Sequence, residues 1–158
     1  MATRKIEMDA RRVYDLSVAL LARRAHSRVE LEKKLLAKGG LPEAVEAALA
    51  RLDELGYLDD AVFARDLVRS RMTHKRWGPA KVKMELRAKG IADEIVEAAL
   101  REAMEGVEPE EAARAALIAR FGPDRPAEQK ELKRRYDYLM RRGFGHDAVR
   151  QALEGLNQ

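Results

Sequence analysis

Apolar residues recur along this chain at three- and four-residue intervals, with charged residues filling most positions between them. That period puts the apolar side chains on one side of an α-helix and leaves the opposite side to water. Val13, Leu16, Leu20 and Leu21 make the first such stripe, Leu31, Leu35 and Leu36 the second, and Val45, Ala48, Leu49 and Leu52 the third. Three more helices follow, marked by Phe63, Leu67 and Val68, by Val82 and Leu86, and by the segment from Asp93 to Met104. The last third reads as a helix from Ala112 to Phe121, a break at Gly122-Pro123, a long basic helix from Ala127 to Arg142, and a final helix through Val149 and Leu153. β-Branched and aromatic residues are scattered rather than alternating, so no strand is predicted.

The helix ends are marked as well. Ser27 followed by Glu30 is a capping-box pattern, Pro42 suits a first helical position, and Asp59 or Asp60 can cap the next helix. Gly78-Pro79 opens another. Gly39-Gly40, Gly56 and Gly90 stop helices, because glycine takes the left-handed conformation at little cost. The Gly106 to Pro109 segment marks a further boundary.

One phrase recurs three times at roughly 50-residue spacing. It comprises Leu35, Lys38, Gly39, Val45, Ala48 and Leu49; then Leu86, Lys89, Gly90, Val96, Ala99 and Leu100; then Leu139, Arg142, Gly143, Val149, Ala152 and Leu153. In each copy the leucine lies four residues before the glycine, and the apolar trio six, nine and ten after it. The expectation is an all-α protein of three tandem three-helix repeats, over residues 9–56, 57–106 and 107–155, forming an elongated curved module. Repeats of this kind present an extended binding surface rather than a single catalytic pocket.

Composition fits that picture. The 158 residues are 46% hydrophobic, but charge interrupts every apolar run well before the roughly 20 residues of a membrane helix. The first seven residues carry no apolar segment after Arg4-Lys5, and there is no cysteine. Together these predict a cytoplasmic monomer without disulfides, thiolate metal sites or a secretory signal. The first few residues and Gly155 to Gln158 are expected to be disordered.

Charge is segregated more than it is unbalanced. The formal net charge is +4, yet residues 61–90 hold nine Lys/Arg against two Asp/Glu, and residues 91–113 hold one against eight. Separate basic and acidic faces favour electrostatic steering onto a charged partner. Three basic clusters are the candidate partner- or DNA-binding faces. One is Arg11, Arg12, Arg23 and Arg24; the second is Lys75, Arg76, Lys81, Lys83 and Arg87, opposed locally by Glu85 alone; the third is Lys130, Lys133 and Arg134, continued by Arg141 and Arg142. Each also reads as a solvated helix surface, the third partly neutralised by Glu131 and Asp137. Trp77 could stack on a nucleic-acid base, or pack between helices. Tyr57, Phe63, Phe121, Tyr136, Tyr138 and Phe144 are expected in the core or between repeats, with Tyr138 the more exposed.

No catalytic constellation is legible. His26, His74 and His146 are spread over the three repeats without metal-ligand spacing, and no phosphate-binding glycine loop is present. Asp59-Asp60 and Glu110-Glu111 could hold Mg²⁺, but at helix starts they serve equally to cap amides and complement the helix dipole. No enzyme, metal or cofactor is predicted.

Ser27-Arg28-Val29-Glu30-Leu31, Gly56-Tyr57-Leu58-Asp59-Asp60 with Phe63-Ala64, and Glu85-Leu86-Arg87-Ala88-Lys89-Gly90-Ile91 resemble the RecX family of recombination regulators. The resemblance runs from Val13 to Leu153 and is weaker in the third repeat, along its middle helix from Lys130 to Tyr136. It implies tandem three-helix repeats, binding to the RecA filament on DNA, and inhibition of its ATPase, strand-exchange and coprotease activities, with at most weak, sequence-independent DNA contact. The alternative is a RecA-independent DNA-binding protein that uses its basic helical faces, since three-helix units can place a helix in the major groove.

Overall fold

The computed structural model describes residues 8–157. Nine helices make up the described chain: α1 (Ala10–Arg23), α2 (Arg28–Ala37), α3 (Pro42–Glu54), α4 (Asp60–Thr73), α5 (Pro79–Ala88), α6 (Asp93–Met104), α7 (Pro109–Phe121), α8 (Gln129–Arg141) and α9 (His146–Glu154). The only extended pairings among the described residues are isolated bridges, Met8 with Gly40 and Asp124 with Asn157. The protein is therefore all-α, as the periodicity predicts. The expectation of disorder in the first residues falls on 1–7, outside the described residues.

The chain gathers into two compact units. The first runs to Phe63 and takes back Lys89–Ala92; the second comprises Ala64–Ala88 and everything from Asp93 onward.

In the first unit, Val13 of α1, Leu31 and Leu35 of α2, Val45, Leu49 and Leu52 of α3, and Leu58 form the core. Leu16, Leu20 and Leu21 pack against it only partly buried, because Ser17 shares the buried side of α1 with Val13. The start of α2 departs from a full capping box. Ser27 Oγ accepts from the Glu30 amide at 3.1 Å, but the Glu30 carboxylate turns away to Arg24 and Lys89. Asp60 Oδ1 accepts from the Arg28 amide at 2.9 Å instead, while Asp59 Oδ1 caps α4 through the amides of Ala61 and Val62. Both aspartates are thus committed to helix starts. Tyr57, expected inside, is 67% exposed: it follows the Gly56 turn, and Leu58 rather than Tyr57 points into the core.

The Lys89–Ala92 segment belongs to this unit because it sits on the start of α2. Ser27 Oγ donates to the Lys89 carbonyl at 2.6 Å, and a Cβ on Gly90 would meet Val29 at 2.6 Å. The equivalent turn after α2 is covered by the chain just before α1, where the Met8 amide donates to the Gly39 carbonyl at 3.1 Å.

In the second unit, Ala113, Ala116 and Leu117 of α7, Leu139 of α8, and Phe144, Val149 and Ala152 form a core that Leu156 completes. Val82 and Leu86 of α5 and Val96 of α6 are fully buried as well. Helix α7 begins at Pro109, a turn earlier than Ala112, since proline is well suited to the first helical position. Gly155 to Asn157 are not a loose tail, and Gln158 lies outside the described residues. Leu156 is 5% exposed, the Arg125 amide donates to the Asn157 carbonyl at 2.7 Å, and the Asn157 amide donates to Pro123. Here too a glycine turn receives a helix start: the Gly78 amide donates to the Arg142 carbonyl at 2.6 Å, and the Ala80 amide to the Gly143 carbonyl at 3.1 Å.

Candidate binding faces

The three basic clusters differ in how much of their charge is already used. On α1, Arg11, Arg12 and Arg23 are exposed. Arg24 is not a free surface cation. It holds Glu30 with two hydrogen bonds, at 3.0 and 3.2 Å, while Lys89 Nζ reaches the same carboxylate at 3.2 Å. Burial by itself would raise the Glu30 carboxyl, but these hydrogen bonds and charges outweigh it and hold the group at about 2. Beside this network His26 is buried, its Nδ1 2.9 Å from the Arg24 carbonyl and its Nε2 2.9 Å from Lys34 Nζ. Burial, with the nearby cations, pushes its pKa down. A neutral ring that donates from Nδ1 and accepts at Nε2 satisfies both partners.

In the second cluster the local opposition is larger than Glu85 alone. Lys83 pairs with Glu97, Arg87 pairs with Asp93 at 3.0 Å, and Glu85 is gripped from the side by Arg71 at 2.6 and 2.7 Å. Glu97 and Asp93 lie on α6, so packing of α5 on α6 supplies the missing carboxylates. Lys75 and Lys81 go to Trp77 instead, with Nζ 5.0 and 4.2 Å from the ring centroid, and the Arg71 guanidinium is 5.5 Å away. Trp77 is half-buried among cations rather than buried among apolar groups.

In the third cluster Lys133 pairs with Asp137 at 2.8 Å and Arg134 with Glu131 at 3.3 Å. These residues line a mixed-charge groove of about 410 Å³ along α8 with Lys130 and Arg141. Arg142 turns elsewhere. Its guanidinium lies 5.1 Å from the Tyr138 ring centroid, and Tyr138 in turn meets Phe121 edge-on at 5.2 Å.

Arg142 brings parts of the second and third clusters together. With His74, Lys75, Arg76, Ala119, Arg120 and Tyr138 it lines a cleft of about 280 Å³ that has no carboxylate in its wall. Among the described residues no ion pair reaches Lys75, Arg76, Arg120 or Arg142. Arg120 is absent from the sequence-derived clusters, because it stands alone between Ala119 and Phe121 and joins the others only through the packing of α7 beside α8.

Comparison with known proteins gives a consistent result. The first, second and third three-helix domains of RecX match residues 14–52, 59–100 and 108–153. The regulatory protein RecX of Halorhodospira halophila is 41% identical over 146 residues, covering 92% of this chain and 89% of that protein. That of Stenotrophomonas maltophilia is 42% identical over 136 residues, covering 86% and 82%. The crystal structure of RecX from Lactobacillus salivarius shares the fold with a TM-score of 0.77 at 23% identity, covering 92% of this chain and 95% of the other.

Proposed function

Because this chain belongs to the RecX family of regulatory proteins, we propose that it binds the RecA filament formed on DNA and inhibits its ATPase, strand-exchange and coprotease activities, with no catalysis of its own. The observation that carries this reading is the match in all three three-helix domains. The matched relatives that carry the regulatory name are covered over 89% and 82% of their own length.

The charges on this chain suit such a role. Cations without a carboxylate partner, among them Lys75, Arg76, Lys81, Lys130, Arg141 and Arg142, are the ones available to meet a charged filament. Lys83, Arg87, Lys133 and Arg134 bring their own counter-charges and add less to the field. Among the described residues no helix is long and apolar enough to cross a membrane. We take the protein to act as a monomer in the cytoplasm with its partner. Bound across neighbouring RecA subunits and close to the DNA, it obstructs the second strand and resists the changes between nucleotide states.

Co-sedimentation with RecA, with and without single-stranded DNA and an ATP analogue, tests the reading. Pelleting only with assembled filament, together with loss of DNA-dependent ATPase below one copy per RecA subunit, is expected. Unchanged ATPase and strand exchange at saturating protein would end it.

A further inference from the structure

We propose that the cleft lined by Lys75, Arg76, Arg120, Tyr138 and Arg142 is a phosphodiester-binding site that takes the backbone of a single-stranded polynucleotide. This goes beyond the filament reading and does not rest on it, since the site is complete in this chain alone.

Four cations converge on a space of about 280 Å³ whose wall holds no carboxylate. On α5 and α8, Lys83, Arg87, Lys133 and Arg134 carry a carboxylate partner, whereas Lys81, Lys130 and Arg141 form none of the described ion pairs. An anion entering the cleft meets cations and no described carboxylate.

A second observation comes from Arg142. Its guanidinium lies in the cleft wall beside Tyr138. The guanidinium is held in place by the Tyr138 ring, and its main chain by the Gly78 amide, so it is ordered before any ligand arrives.

The opposite wall is equally fixed. Arg76 has φ of 53°, and it is the only described non-glycine residue in the left-handed region. That strain persists because the loop is tied on both sides, by the Trp77 amide on the Arg71 carbonyl at 3.1 Å and by Gly78 on Arg142. The loop therefore presents Lys75 and Arg76 to the cleft in one arrangement.

The chemistry favours phosphate in a strand. Guanidinium groups match the paired unesterified oxygens of a phosphodiester. A strand also repeats its charge at short intervals, as four cations in one cleft require. The wall holds cations, His74 and Tyr138 but no Asn, Gln, Asp or Glu, so its contacts to a strand are chiefly to phosphate.

The test uses the full chain without RecA, so it fails or succeeds independently of the filament reading. Fluorescence anisotropy with labelled oligothymidylate compares wild type with Lys75→Gln/Arg76→Gly/Arg120→Gln, in which glycine suits the left-handed backbone. A control, Arg11→Gln/Arg12→Gln/Arg23→Gln, removes the same charge from α1. The cleft variant is expected to bind at least about tenfold more weakly at low salt, with its salt slope flatter by about 2, and the control to change by less than about threefold. Arg142→Lys, which keeps the charge but loses the planar guanidinium fork, is expected to weaken binding several-fold, and it decides the matter if the triple variant misfolds by circular dichroism. Equal losses in the cleft variant and the control would overturn the proposal. So would Arg142→Lys binding like wild type, displacement of the strand by polyglutamate of equal charge, or a nucleoside triphosphate binding as tightly as the strand.

Discussion

The Ser27 hydroxyl donates to the backbone carbonyl of Lys89, 62 residues further along the chain, at 2.6 Å. Gly78 and Arg142 stand in the same relation through an amide donor, also at 2.6 Å. In both cases the residue before a second helix meets the residue before a helix-ending glycine. The recurrent basic-glycine phrase is thus a receptor for a helix start.

Replacing Ser27 with Ala removes two bonds at once, the cap on the Glu30 amide and the donation to Lys89. A loss of about 1–3 kcal/mol in urea denaturation is expected. Ser27→Asp restores a capping oxygen but no donor, and should recover only part of that loss. Full recovery would show that the Lys89 contact adds nothing.

Where the two glycines meet, no side chain fits. A Cβ on Gly78 would lie 2.4 Å from the Gly143 carbonyl carbon, and one on Gly143 would lie 2.4 Å from the Lys81 amide nitrogen, with φ at +90° besides. Gly78→Ala should cost about 1–3 kcal/mol and Gly143→Ala more, roughly 2–4. Gly56→Ala is the comparison, since its φ is +73° but its Cβ meets nothing within 4 Å. It should cost only about 1–2 kcal/mol. Equal denaturation midpoints for Gly56→Ala and Gly143→Ala would remove steric contact from the account.

Acid should destabilise the first unit in two stages. His26 is lowered from 6.5 in the folded chain, so the unfolded chain takes up that proton first, and stability starts to fall as pH drops below 6.5. Glu30 sits at about 2 against an ordinary 4.5; its contribution is whole above 4.5 and is lost as pH falls toward 2. With its side chain 17% exposed, the Glu30 stage is worth about 1–3 kcal/mol. Denaturation midpoints measured in steps from about pH 8 to pH 3 should show both stages, with Glu30→Gln flattening the lower one and, because the Glu30 charge raises His26, deepening the upper. A Glu30→Gln profile parallel to wild type below pH 4.5 would contradict the network.

Along α8 the cations are unequal. Reversing Lys130 and Arg141, which form none of the described ion pairs, should weaken inhibition of RecA more than reversing Lys133 and Arg134, which already face Asp137 and Glu131. Helicity should hold in both, because exposed charges act on association more than on folding. Strand-exchange assays of the two double variants make the comparison, and the reverse ranking would count against steering by unpaired charge.

Local rules made much of the fold legible. Leu35, Leu86 and Leu139 are all fully buried, and Gly39, Gly90 and Gly143 all have positive φ, because helical period and glycine stereochemistry act within a few residues. Contacts across the chain were not legible. Glu30 reads as half of a capping box until Lys89 is brought to it, 59 residues away. Glu97 and Asp93 belong to an acidic run in the sequence, yet they neutralise Lys83 and Arg87 once α5 packs on α6. Leu156 reads as tail and proves to be core, since one apolar residue after a glycine carries no periodic signal. The cleft draws its cations from the α4–α5 loop and from α7 and α8, and no window of sequence contains them together.

The receiving side of each glycine turn meets the helix start with its main-chain carbonyls. Beyond them the two turns have diverged: the Lys89 side chain adds a bond to Glu30, whereas Arg142 carries its charge into the cleft. Duplicating such a module copies the joint while leaving the decoration free to drift. Growth is also polarised. Met8 already occupies the turn after α2, whereas among the described residues no backbone hydrogen bond joins the start of α8 to a glycine turn. A fourth module grafted after α9 would need only a basic-glycine turn to receive it, so this chain can be lengthened at one end by a socket its own repeats define.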